Sequence, residues 1–135
     1  MKLSSVSIIL PIFNEEKRIL KSLKEIDIFL KKKFFNKIEI ILINDGSLDK
    51  TQSLIKSYLK NSKNRKNFKL ISLKYNSGKG YALATGVKFA KNNWLLTSDI
   101  DLSVSLNHLV IWEKKFLTKN SFVYFASRSH IHSKV

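Results

Sequence analysis

The strongest constraint on this chain is a repeated unit: a short apolar run that stops abruptly at polar residues and gives way to apolar residues at helical spacing. Val6 to Ile12 is nearly continuous in apolar residues and ends in Pro11-Ile-Phe-Asn-Glu-Glu16. Pro11 has no N–H and suits a strand end better than a strand centre. Ile19, Leu20, Leu23, Ile26 and Leu30 then recur every three or four residues, which predicts a helix with Asn14 as its cap. Ile38 to Ile43 gives a second strand and runs into Asn44-Asp-Gly-Ser-Leu-Asp49. Gly46 permits a tight turn there, and Asp49 or Ser47 can cap a helix with Leu54, Ile55, Tyr58 and Leu59 facing inward.

The pattern continues. A polar, basic loop over 61–67 precedes a third strand, Phe68 to Leu73. The turn Tyr75-Asn-Ser-Gly-Lys-Gly80 leads to a helix with Leu83, Val87 and Ala90 on one face. Trp94 to Thr97 is a fourth strand, Leu106, Leu109, Trp112, Phe116 and Leu117 mark a further helix, and Phe122 to Ala126 a fifth strand. Strands alternating with helices predict an open, mostly parallel α/β sheet whose strands are buried on both faces.

At 135 residues and 44% apolar content the chain fits one globular domain, not a disordered segment. It has no cysteine, which excludes disulfides and thiolate metal sites. The start, with Lys2 ahead of an apolar run, lacks a small-residue cleavage site and is broken by Pro11, so it reads as a strand and not as a signal peptide. No stretch approaches the roughly 20 apolar residues of a membrane span. The net charge of +15 suits nucleic acid, anionic headgroups or phosphorylated substrates. Much of it lies in Lys31-Lys32-Lys33 and between Lys60 and Lys69, which read equally well as solvated faces. His108, His130 and His132 have no zinc-site spacing.

Four strand exits carry polar groups suited to one ligand: Asn14-Glu15, Asn44-Asp45, Gly78-Lys79-Gly80 and Asp99-Ile-Asp101. Parallel strands open their carboxyl ends onto one edge, so these pieces converge in space. Asp99 and Asp101 lie two apart in an extended segment and can present oxygen to one hard cation, Mg²⁺ or Mn²⁺. Solvated loop acids, or a cap for the helix near Ser105, are the plain alternatives.

The segments Leu10-Pro-Ile-Phe-Asn-Glu15, Ile43-Asn-Asp-Gly-Ser-Leu-Asp49, Asn76-Ser-Gly-Lys-Gly80 with Ala84-Thr-Gly86, Asp99-Ile-Asp-Leu-Ser103 and Ala126-Ser-Arg-Ser-His130 resemble, in order, the family 2 glycosyltransferases. Within that family they resemble the polyprenyl-phosphate (dolichyl-phosphate) hexosyltransferases, most of all the dolichyl-phosphate β-glucosyltransferase branch. The resemblance implies a GT-A (Rossmann-like) fold with helices on both faces of a mostly parallel sheet. It also implies a single catalytic, donor-binding domain over 1–135 that is incomplete at its C-terminus.

The implied reaction is metal-dependent, inverting transfer of a hexose from a nucleoside diphosphate sugar to a polyprenyl phosphate, with UDP-glucose favoured over GDP-mannose. By position, Pro11, Phe13 and Glu15 fall around the nucleoside, Asp45 beside the base, and Lys79 near the diphosphate. Asp99 and Asp101 fall in the metal motif, and Arg128 near the sugar or acceptor phosphate, so that Asp101 and Arg128 are the expected catalytic residues. The implied location is cytoplasmic and peripheral, at the cytoplasmic face of a membrane. A truncated nucleotide-sugar-binding module is one competing reading. A basic nucleic-acid-binding domain is the other, and it lacks a recognition-helix or base-stacking signature, so no nucleic-acid partner is expected. The chain departs from the family pattern at Asn44 (commonly an acid), Phe13 (commonly tyrosine), Ile100 (alanine) and Ser103 (a longer amide in some relatives).

Overall fold

The computed structural model describes residues 3–116 and residue 123. Apart from Val123, the fifth strand expected over 122–126 lies outside the described residues, as do Leu117, Arg128, His130 and His132. The order of elements is β1 (Leu3–Ile12), α1 (Ile19–Lys31), β2 (Phe35–Asn44), α2 (Thr51–Asn61), β3 (Phe68–Ser72), α3 (Lys79–Phe89), β4 (Trp94–Thr97) and α4 (Asn107–Phe116). A single 3₁₀ turn, Arg65–Asn67, occupies the loop before β3. The four strands form one sheet in the order β3-β2-β1-β4. Every pairing is parallel, as the alternation of elements predicts.

Because side chains alternate across a strand, the sheet separates into two apolar layers. Val6, Ile8, Leu10 and Ile12 of β1, with Ile40 and Leu42 of β2, pack against Ile19, Leu23 and Ile26 of α1 and Ile55 of α2. Ile9, Ile41 and Ile43 point to the other face and meet Ala82 of α3. Helices therefore cover both faces. On the first face, Asp27 of α1 accepts hydrogen bonds from Tyr58 of α2 and from Ser62 and Asn64 beyond it. Burial and this bond to Asp27 raise the Tyr58 phenol well above its usual range.

Several local expectations are corrected. Asn14 does not cap α1: it has φ +48°, and its Oδ1 accepts the Leu48 N–H. Arg18 is the N-cap residue and supplies no side-chain cap bond. Ser47 accepts the Asn14 N–H instead of serving α2, while Asp49 accepts the Thr51 N–H from one position outside the cap. Leu20 is exposed on α1; Ser22 and Phe29 are buried there.

The buried face of α3 is Ala82 and Gly86, with Leu83 and Ala90 beside it, whereas Val87 is 46% exposed. The large-residue periodicity misled because the helix lies so close to the sheet that only small residues fit the contact. Nor is β4 buried on both faces. Trp94 and Leu96 pack on the first layer, but Leu95 is 43% exposed, because among the described residues β4 is an edge strand and α3 lies over β1 and β2.

The register aligns Ile12 with Asn44, Asn44 with Ser72, and Ile9 with Thr97, so all four strands end at one edge. The segments that follow those ends share that edge, and they are the segments rich in acids and glycine.

The α3 contact yields a paired test. A Cβ on Gly86 would lie 2.3 Å from Ile9 Cγ2, a branched side chain held in the sheet, whereas one on Gly80 meets nothing within 4 Å. Gly86→Ala should lower unfolding free energy by about 1–3 kcal/mol. Gly80→Ala, in the same helix, should raise it by roughly 0.5–1 kcal/mol. Urea denaturation of the two variants beside wild type checks both signs.

Candidate donor site at the carboxyl edge of the sheet

The loops after β1, β2 and β4 and the start of α3 enclose a cleft of about 500 Å³. Pro11, Phe13, Glu15, Asp45, Lys79, Asp99 and Asp101 all line it, with Asn76, Gly78 and Ile100 between them. Seven of the eight residues singled out from the sequence thus meet in one place. The eighth, Arg128, lies outside the described residues.

Asp45 builds the back of the cleft. Only 3% exposed, it directs its two carboxylate oxygens to consecutive backbone amides, accepting the Ser77 N–H at 2.7 Å and the Gly78 N–H at 3.0 Å. Its own N–H donates to the Ile12 carbonyl and its carbonyl accepts from the Asn76 side chain. One residue after β2 thereby joins the loops of three strands. The next residue must be glycine: Gly46 has φ +69°, and a Cβ there would lie 2.3 Å from the Asn76 nitrogen.

Asn44, where the family commonly has an acid, is 1% exposed and forms no part of the cleft wall. Its Nδ2 donates to Gln52 Oε1 and Ser72 Oγ, and its Oδ1 accepts the Ser47 N–H. A neutral amide supplies both donors and acceptors at this buried point without placing a charge there.

The acid pair sits at the open side. The Leu102 N–H donates to the Asp99 carbonyl, closing a turn, and Leu102 itself takes φ +51°. The segment is thus a turn and not the extended stretch expected; Asp99 and Asp101 both face outward because Ile100 and Leu102 are buried in the larger core. Ile100 is accommodated by that core. Asp101 Oδ1 accepts the Ser103 N–H. Asp99 instead forms an ion pair with Lys79 from the first turn of α3, both side chains more than half exposed. An exposed pair of this kind contributes little to stability; what it fixes is where the ammonium lies.

One side chain that engages a cleft residue escaped the sequence reading. Arg18 donates Nε–H and an Nη2–H to the two oxygens of Glu15, each at 2.8 Å. These hydrogen bonds, then the charge of Glu15, raise the guanidinium pKa above its ordinary value; burial opposes, and Asp101 adds a smaller contribution in the same direction. The signal available in the sequence was the three-residue spacing of Glu15 and Arg18 at a helix start.

The sequence model described as glycosyl transferase family 2 matches residues 7–131. The chain belongs to that family. It is similar to a dolichyl-phosphate β-glucosyltransferase of Trichomonas vaginalis, 32% identical over 133 residues that cover 92% of this chain and 40% of that protein. Among solved structures it resembles S. aureus TarS in complex with UDP, at 30% identity and a TM-score of 0.59, covering 72% of this chain and 27% of that one. It also resembles the mannosyltransferase PcManGT from Pyrobaculum calidifontis in complex with GDP-Man and Mn²⁺, at 23% identity and a TM-score of 0.64, covering 75% and 28%. The fold is that of the GT-A glycosyltransferases. The chain spans less than half the length of each of these relatives.

If Asp45 is the brace of the cleft, Asp45→Ala leaves the Ser77 and Gly78 amides without their acceptors. It should cost about 2–4 kcal/mol in unfolding free energy, and Asp45→Asn, which keeps one acceptor oxygen, clearly less. Hydrogen exchange localises the effect: protection at Ser77 and Gly78 should fall in Asp45→Ala while the β1 amides keep theirs.

Proposed function

We propose that this chain is the donor-binding part of an enzyme that transfers a hexose, glucose favoured, from a nucleoside diphosphate sugar to a polyprenyl phosphate such as dolichyl phosphate. Transfer proceeds with inversion and with Mg²⁺ or Mn²⁺ as cofactor. The observation that carries this reading is the meeting of four loops in one cleft with acids at its open side and a braced glycine turn at its back. Similarity to a dolichyl-phosphate β-glucosyltransferase over nearly the whole chain supports the acceptor class and the sugar.

In this reading Pro11 and Phe13 pack against the nucleoside, with Glu15 close by. Asp45, whose oxygens retain lone pairs beyond those taken by the two amides, accepts from the base. Lys79 lies beside the diphosphate, and Arg128 serves the sugar or acceptor phosphate.

Among the described residues no group of three or more His, Cys, Asp and Glu side chains could enclose an ion. Asp99 and Asp101 instead offer the one or two carboxylates with which Mg²⁺ is commonly held alongside substrate phosphate and water. The donor chemistry therefore fits, with Asp101 the principal ligand and Asp99 shared with Lys79. A cation bound there supplies electrostatic stabilisation of the departing diphosphate.

An oxygen of the acceptor phosphate forms the new bond to the anomeric carbon as the bond from that carbon to the nucleoside diphosphate breaks. A phosphate is already anionic near neutral pH, so this step demands a general base less than transfer to a sugar hydroxyl would. The Lys79 ammonium offsets negative charge that grows on the leaving group, and Asp99 keeps it in place. No described helix is long and apolar enough to cross a membrane. The basic composition supports peripheral contact with an anionic membrane face, on the cytoplasmic side.

Calorimetric titration of UDP, UDP-glucose and GDP, with and without Mn²⁺, tests the donor assignment on wild type and Asp101→Ala. UDP and UDP-glucose should bind only with the metal, and Asp101→Ala should weaken them by at least about tenfold. Preference for GDP would shift the sugar towards mannose. Donor binding without transfer to a polyprenyl phosphate would favour the nucleotide-sugar-binding module, and a folded wild type that binds no nucleotide would overturn the reading.

A further inference from the structure

Two cations pair with acids of the cleft, and the helices they introduce pack on opposite faces of the sheet. Lys79 belongs to α3, whose Ala82 packs into the layer of Ile9, Ile41 and Ile43, and it reaches Asp99. Arg18 stands immediately before α1, whose Ile19 and Leu23 pack into the other layer.

The Glu15–Arg18 pair is unequal. Glu15 lines the cleft and its side chain is 16% exposed, against 62% for Arg18. The carboxylate is the fixed partner and the guanidinium the outward one. Glu15 engages two of the five guanidinium N–H groups, and among the described residues the other three have no partner. What remains is a rigid fork of donors, held in orientation from behind, with the geometry that recognises phosphate oxygens.

The transfer proposed above brings two anionic groups to one anomeric carbon, the diphosphate of the donor and the phosphate of the acceptor. They must meet beside Glu15, Asp99 and Asp101, and each needs its own countercharge. Lys79 faces the side where the donor diphosphate is expected. Among the described residues, Arg18 is the cation that pairs with an acid of the cleft from the other face, through Glu15.

We propose that Arg18, oriented by Glu15, binds the phosphate of the acceptor, which leaves Arg128 to the sugar. The proposal rests on reading the cleft as a donor site that serves a phosphate acceptor. It assigns to the start of α1 a contact with the acceptor and gives the two substrates separate cations on separate faces of the sheet.

The test uses the full 135-residue chain, with farnesyl phosphate as a soluble acceptor probe, farnesol and inorganic phosphate as its separated halves, and UDP with Mn²⁺ as the donor probe. Arg18 is exposed, so Arg18→Gln should fold, and circular dichroism confirms it. Arg18→Gln should weaken farnesyl phosphate at least about tenfold, and Arg18→Lys, which keeps charge without the fork, should recover part of that loss. UDP with Mn²⁺ should lose clearly less than farnesyl phosphate, the smaller loss reflecting Glu15, which Arg18 pairs and which lies beside the nucleoside in the reading above. Competition by inorganic phosphate but not by farnesol would support the phosphate as the recognised group.

Unchanged farnesyl phosphate affinity in Arg18→Gln, no binding by wild type, or an equal loss for UDP with Mn²⁺ would each overturn the proposal. Arg18-dependent binding of farnesyl phosphate in a wild type that ignores UDP would instead support Arg18 as a phosphate ligand and remove the donor reading.

Discussion

The bidentate bond from the Asp45 carboxylate to the Ser77 and Gly78 amides is the interaction on which the site depends. A parallel sheet brings strand ends to one edge but leaves the loops beyond them free to take many shapes. Here a nearly buried carboxylate, one residue past β2, fixes the turn that starts α3, while its own N–H holds the end of β1. Charge-assisted bonds of this sort are stronger than neutral ones and lose little to solvent when buried. Gly46 beside it permits the close approach to Asn76 that the brace requires.

The acids of the cleft are handled in different ways, and the differences define their chemistry. Asp45 is satisfied by backbone amides, Glu15 by Arg18 and Asp99 by Lys79, whereas among the described residues the Asp101 carboxylate receives a single backbone N–H at one oxygen. Asp101 is therefore the carboxylate with most capacity left for an added cation. The turn that presents it rests on Ile100 and Leu102, whose burial anchors the acid pair to the same core that supports β1 and β2. Positioning at the rim thus comes from apolar packing beneath it.

Much of this was legible in the chain. Strands alternating with helices predicted a parallel sheet, and a parallel sheet predicted that Glu15, Asp45, Lys79 and Asp99 would converge. Side-chain detail was less legible. Asn14 looked like a helix cap because residue type and position matched, yet it bonds across to Leu48 in another loop. Val87 looked inward because periodicity was read from large residues, while α3 approaches the sheet through Gly86. Arg18 was not singled out, because its link to the cleft runs through the Glu15 side chain.

The sequence by itself determined the order of elements, the parallel sheet and the identity of the residues at its carboxyl edge, because apolar periodicity and turn chemistry are local properties of the chain. Only the tertiary structure decided which carboxylate braces the loops, which holds a cation and which keeps an oxygen open, and which face of the sheet each cation comes from. Those assignments depend on hydrogen bonds and ion pairs between residues up to 33 positions apart, and no local pattern encodes a distance across space.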